Sequence, residues 1–159
     1  MNRDAILSEC GTYRYLLQRS WDVQLQAVCF IMLNPSTADD KKDDPTIRRC
    51  IGYAQKFGYG SLYVVNLFAL RATNKTEIQT TENPIGPEND QWIEQLSKKT
   101  DCIIAAWGND GKYLNRSQDI LKKLSQEGRI VYCLKISKQN EPCHPLYLKK
   151  ESVLLPLRE

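Results

Sequence analysis

The chain has 159 residues and a mass of 18.3 kDa, the size of one ordinary domain, read here as a single unit over 1–159. A chain of this length buries about two thirds of its unfolded surface, so it needs no disulfide or metal to fold. Hydrophobic residues are 42% and charged residues 26%, which excludes disordered and membrane classes.

The net charge of +3 is small but unevenly spread. Residues 1–128 carry 16 basic and 16 acidic side chains, whereas residues 129–159 carry six basic and three acidic ones. The excess lies in the C-terminal stretch, as a solvated face or as a local patch that touches phosphates. The N-terminus, MNRDAILSECG, has acids where a signal peptide carries its apolar core. The expected location is the cytoplasm.

Strand and helix signals alternate along the chain. TYRYLLQRSW reads as an edge strand or hairpin, and residues 25–33, LQAVCFIML, as a strand buried on both faces. Asp44-Pro45 opens a helix whose stripe is Ile47, Cys50, Ile51, Ala54 and Phe57, ending at Gly58. SLYVVNL (61–67) is a second buried strand, followed by a loop through Asn83-Pro84-Ile85-Gly86-Pro87 and a helix with Trp92, Ile93 and Leu96. CIIAAW (102–107) is the third strand. A helix with Leu114, Ile120, Leu121 and Leu124 follows and stops at Gly128, and IVYCLK (130–135) is the fourth strand. This order predicts a three-layer α/β/α sandwich around a mostly parallel four-stranded sheet.

Six cysteines are present, yet there is no CxxC and His144 is the only histidine. Cys29, Cys102 and Cys133 sit inside apolar runs as small core residues, so neither a metal nor another cofactor is expected. Trp92 and Trp107 also read as core.

In a parallel sheet, ligands bind beyond the carboxyl ends of the strands. The exits are Asn34-Pro35-Ser36-Thr37, Asn66-Leu67-Phe68-Ala69-Leu70-Arg71, Trp107-Gly108-Asn109-Asp110 and, after a loop, His144-Pro145-Leu146-Tyr147. Polar groups collecting there after apolar runs predict one shared site.

In this order the exits resemble motifs of the uracil-DNA glycosylase superfamily. Asn34-Pro35 matches the Asn form of its first motif, Asn66 the residue that reads the edge of an extruded base, and His144-Pro145 the start of its last motif. Leu146 replaces a small residue in that motif. The chain also resembles, over most of 13–155, a family of short bacterial and phage proteins built around MLNPSTAD, DPTIRRC, NLFALRAT and HPLYL.

The first resemblance implies a uracil-DNA-glycosylase-like fold and a monofunctional DNA glycosylase that leaves an abasic site. It implies catalysis by Asn34 and His144, and base contacts from Ser36, Thr37, Asp39 and Asn66. DNA contacts fall to Arg71, Leu146, Tyr147, Lys149 and Lys150. The partner is duplex DNA with a flipped base; no membrane and no obligate protein partner are expected. Asp39, Asp43 or Asp44 would add a carboxylate, although Asp44 also reads as a helix cap. No lysine sits in the three strand-end motifs assigned to the site, which disfavours a Schiff-base lyase.

In uracil-specific members of that superfamily an aromatic ring after the first-motif Pro shuts the C5 side of the base pocket. Here Ser36 and its polar neighbours predict a pyrimidine modified at C5, such as hydroxymethylcytosine or its glucosylated form in phage DNA, and hence an anti-phage role. The competing readings are uracil or mismatch repair, a non-catalytic nucleotide-binding sensor, and a small-nucleotide hydrolase. The chain lacks GxxxxGK[ST], GxGxxG and GxSxG, which argues against an ATPase, a dinucleotide enzyme and a Ser hydrolase.

Overall fold

The computed structural model describes residues 1–157; Arg158 and Glu159, counted above in the C-terminal charge, lie outside the described residues. The strands are β1 (Asn2–Leu7), β2 (Arg14–Ser20), β3 (Ala27–Met32), β4 (Ser61–Asn66), β5 (Cys102–Ala105), β6 (Val131–Cys133) and β7 (Leu155–Pro156). The helices are α1 (Pro45–Lys56), α2 (Lys75–Thr80), α3 (Asn89–Lys99) and α4 (Arg116–Gln126). None of the described helices is long and apolar enough to cross a membrane.

The sheet is seven-stranded and mixed, in the order β1-β2-β4-β3-β5-β6-β7, which corrects the expected four-stranded sheet. Its centre, β4-β3-β5-β6, is parallel and is made of the four apolar runs. Antiparallel strands extend both sides: β2 pairs with β4 and carries β1 outside it, and β7 pairs with β6. β2 is therefore interior, not an edge, with β1 taking the exposed side.

Side chains alternate across a strand, so the two faces bury two separate cores. On one face, Val28, Phe30, Met32, Leu62, Val64 and Ile104 pack against Ile47, Cys50, Ile51 and Ala54 of α1. On the other, Cys29, Ile31, Val65, Ile103 and Ala105 meet Ile78 of α2, Ile93 and Leu96 of α3, and Ile120 and Leu124 of α4. Helices thus cover both faces, as the alternating pattern requires. Cys29, Cys102 and Trp107 are buried in these cores, and Cys133 is buried as well.

The start of α1 follows from chemistry readable in the chain. The Asp44 side chain accepts the Ile47 N–H at 2.9 Å and Pro45 occupies the first turn, where its missing N–H costs nothing. Asp44 also accepts the Ala38 N–H at 3.3 Å, tying the preceding loop to the helix. Replacing Asp44 with Ala should cost about 1 kcal/mol or more and lower the melting temperature by ~2–4 °C per kcal/mol. An unchanged melting curve would show that this cap contributes nothing.

The helix expected to include Leu114 instead begins at Arg116. Leu114 and Asn115 have φ of 53° and 58° in the kink before it, so Leu114 is exposed rather than on the buried stripe.

Candidate functional site

β3 leads through α1 on one face to β4, and β4 leads through α2 and α3 on the other face to β5. The loops leaving β3 and β4 therefore part to opposite sides of the sheet. A crevice opens where they separate. It is a cleft of about 520 Å³ lined by both exits, by Arg14 of β2, by the start of α1 and by His144. That volume falls within the ~300–1,000 Å³ typical of ligand sites.

Asn66, the last residue of β4, is 1% exposed and lines this cleft. Neither its Nδ2 nor its Oδ1 has a hydrogen-bond partner among the described residues. Its backbone, by contrast, is fixed from the far face: Asn89 Nδ2 donates to the Asn66 carbonyl at 2.8 Å and to that of Leu67 at 3.2 Å. Arg116 Nε also donates to Leu67 O at 2.9 Å while its Nη2 holds Asp90 at 2.7 Å. A buried amide left without partners costs about 1–3 kcal/mol per polar group. The fold holds Asn66 rigidly while leaving its side chain unbonded.

Asn34 is placed by zipping the two loops together. Its Nδ2 donates to Ala72 O at 2.8 Å and to Pro35 O at 3.0 Å, and Ala72 N donates back to Pro35 O. Both amide hydrogens are thereby spent on backbone. Only Oδ1 remains to meet a ligand or water, and it can accept but not donate.

His144 caps a single 3₁₀ turn, Pro145–Tyr147: its Nδ1 accepts the Leu146 N–H at 3.2 Å. An accepting Nδ1 fixes the neutral tautomer with the proton on Nε2, which makes Nε2–H a donor. Burial lowers the pKa of His144 below its usual value, and the nearby Asp44 charge only partly opposes this.

Ser36 lines the cleft, but Thr37 and Asp39 after it do not. Thr37 is exposed, and Asp39 turns back to accept the N–H groups of Lys41 and Lys42 at 2.8 and 2.7 Å. Those bonds lower its pKa. The expected base contacts from Thr37 and Asp39 are therefore not brought to the site. Of the three candidate carboxylates, Asp43 pairs with Arg19 at 2.7 Å and only Asp44 lines the cleft, in its role as cap.

The exit of β5 is also absent from the cleft, contrary to the shared-site expectation. Trp107 turns toward the α2–α4 face, where its Nε1 donates to Glu141 at 2.7 Å. Gly108 N binds Pro142 O at 2.7 Å.

Arg14, Thr46, Thr73, Asn74 and Lys75 line the cleft without having been singled out in the sequence. Lys75 lies outside the three strand-end motifs yet lines the cleft, with its ammonium 3.5 Å from Asp110.

Beside the cleft, the outer side of α1 forms a groove of about 530 Å³ lined by Arg48, Arg49, Lys56, Leu146 and Lys150. Arg49, Tyr53 and Lys56, one turn apart, donate to the carbonyls of Leu148, Lys149 and Lys150. They fasten the segment that follows His144. Tyr147 projects from it, 85% exposed, with its ring 5.9 Å from that of His144. Lys149 is exposed on the same segment, and Arg71 is half-buried beyond β4, outside the cleft lining. Among the described residues, no group of three or more His, Cys, Asp or Glu side chains is placed to hold a metal ion.

Fold and cleft together define an α/β protein with a ligand-sized site at the switch point of a mixed seven-stranded sheet. The chain belongs to the family described as "Protein of unknown function (DUF1643)", whose model matches residues 14–146. A stretch of 69 residues is 36% identical to the E component of the A-type ATP synthase of Sulfolobus acidocaldarius. That match covers 43% of this chain and 35% of the synthase component, so the chain spans about a third of that relative's length. No solved structure matches the chain.

Proposed function

We propose that the protein is a DNA glycosylase that hydrolyses the N-glycosidic bond of a flipped-out pyrimidine. The observation that carries this reading is Asn66: a buried, rigidly mounted amide that faces a nucleotide-sized cleft with one donor and one acceptor side uncommitted. A pyrimidine edge presents adjacent donor and acceptor groups that an amide can pair with.

Breaking the bond gives an oxocarbenium-like sugar and pushes negative charge onto the base. His144 supplies a neutral Nε2–H donor toward that charge, a preorganised interaction worth about 3 kcal/mol. Asn34 Oδ1 accepts a hydrogen bond from the attacking water and orients it. The exposed Tyr147 ring, with Leu146 beside it, fills the gap left by the flipped base, which costs a few kcal/mol to extrude. Lys149, Lys150, Arg48 and Arg71 meet phosphates around the opening.

Ser36 and Thr46 put hydroxyls, and no aromatic ring, on the wall beside Asn34. A wall of that kind favours a pyrimidine with a polar C5 substituent, because a base lacking it leaves the site's polar groups unpaired. The preferred substrate is hydroxymethylcytosine or its glucosylated form, which gives the enzyme a role against phage DNA. Lys75, held by Asp110, serves phosphate binding rather than nucleophilic attack, so the enzyme is monofunctional.

The test is incubation with duplexes carrying uracil, hydroxymethylcytosine or glucosylated hydroxymethylcytosine, then heating in alkali to cut abasic sites. Strand breaks should require the alkali step, borohydride should trap no covalent adduct, and the modified bases should be released faster than uracil. No base release from any duplex would reject the activity. Faster release of uracil would reject the C5 argument alone, and a borohydride adduct at Lys75 would reject the monofunctional reading.

A further inference from the structure

β2 buries two arginines, and their surroundings differ sharply. Arg19 is 0% exposed and uses all its N–H directions: Nε on Asp43, Nη1 on the carbonyls of Asp4 and Gln18, and Nη2 on those of Asp39 and Lys42. That is the usual solution for a guanidinium removed from water.

Arg14 is 2% exposed and makes one bond, from Nη1 to Ala38 O at 3.0 Å. Its Nε is buried without a partner, and it forms no ion pair with a carboxylate among the described residues. Asp44, whose charge acts on it, spends its two oxygens on the Ile47 and Ala38 N–H groups, while Arg19 and Arg71 add positive field. Burial brings its pKa down to about 10, which leaves it cationic at neutral pH.

Arg14 opens onto the same cleft as Asn66 and His144. Sidedness agrees: Arg14 reaches Ala38 on the α1 side of the sheet, where Met32 and Val64 of the cleft wall also lie. The cleft therefore contains a dry cation that the Asp44 charge offsets only in part and no carboxylate pairs with, beside an uncommitted amide. Such a pair favours a ligand that has both an amide-like edge and a negative charge.

We infer that Arg14 makes the cleft a receptor for an anionic heterocycle, holding the released pyrimidine as its anion. This rests on the glycosylase reading and adds to the neutral His144 donor a full positive charge that meets the leaving base. In the step, the C1′–N bond breaks with its electron pair leaving on the base nitrogen. The water oxygen bonds to C1′, and its proton passes to solvent, from which the base anion is later protonated. Arg14 keeps its own proton throughout.

The test measures binding of free uracil, 5-fluorouracil and 5-nitrouracil, a series of rising N–H acidity, to the whole chain by calorimetry at one neutral pH. Affinity should rise along the series, by about tenfold or more from end to end for a charge-assisted contact. Arg14→Gln should flatten that rise and Arg14→Lys should keep part of it. Equal affinity along the series in the native protein, or absence of any binding, would overturn the role of Arg14 even if Arg14→Gln fails to fold. Base release from DNA, assayed separately by alkali cleavage, decides the glycosylase reading whichever way the binding falls.

Discussion

Replacing Asn66 with Leu is expected to raise stability and abolish activity together. The native side chain is 1% exposed with both polar atoms unpartnered, so an apolar group of similar shape removes a desolvation penalty. The expected gain is about 1–3 kcal/mol, visible as a higher melting temperature or denaturant midpoint. If Asn66 pairs with the flipped base as proposed, turnover on the preferred DNA should fall by about a hundredfold or more. Asn66→Ala should weaken discrimination between bases more than it weakens DNA binding, if phosphates are met by the proposed Lys149, Lys150, Arg48 and Arg71. A gain in stability at the expense of function marks a residue kept for its ligand. If Asn66→Leu were instead less stable than the native protein, the amide would have a structural partner and the reading would lose its main support.

The parallel centre of the sheet was legible because its four strands are nearly continuous apolar runs, a pattern that burial on both faces imposes. The outer strands were harder. β2 carries Arg14, Gln18 and Arg19, which read as an exposed edge; yet Arg19 is wholly buried because carbonyls of the 39–42 loop and the Asp43 carboxylate saturate it. Such compensation comes from residues 20 to 24 positions away and leaves no periodic trace. β7 has two residues, too few for any pattern.

The site divides in the same way. Asn34, Ser36, Asn66 and His144 were legible because each follows an apolar run or a marked turn, and the cleft gathers all four. Thr37 and Asp39 were not separable from Ser36 by sequence, since only the turn that binds Asp39 to Lys41 and Lys42 aims them elsewhere. The β5 exit was misplaced because its direction depends on Glu141 and Pro142, more than 30 residues downstream. Arg14 and Lys75 reach the cleft from the start of a strand and the start of a short helix, places where the strand-end rule does not look.

Replacing His144 with Ala should lower kcat by about a hundredfold while DNA binding holds, if Nε2–H meets charge that appears only in the transition state. His144→Gln, which keeps a donor, should retain more activity than His144→Ala. The pH dependence has a definite sign. Burial favours the neutral ring, so the folded protein holds fewer protons on His144 than the unfolded chain as pH falls through about 6.5. The stability it contributes is therefore full above that pH and lost below it, until the lowered folded pKa is passed. Protonation also sets an Nδ1–H against the Leu146 N–H that Nδ1 now accepts, which breaks the cap holding Pro145–Tyr147. The acid limb of kcat/KM should accordingly lie below about 6.5, and His144→Gln should remove it. An acid limb above that value that survives in His144→Gln would assign the titration to another group and take His144 out of the chemistry.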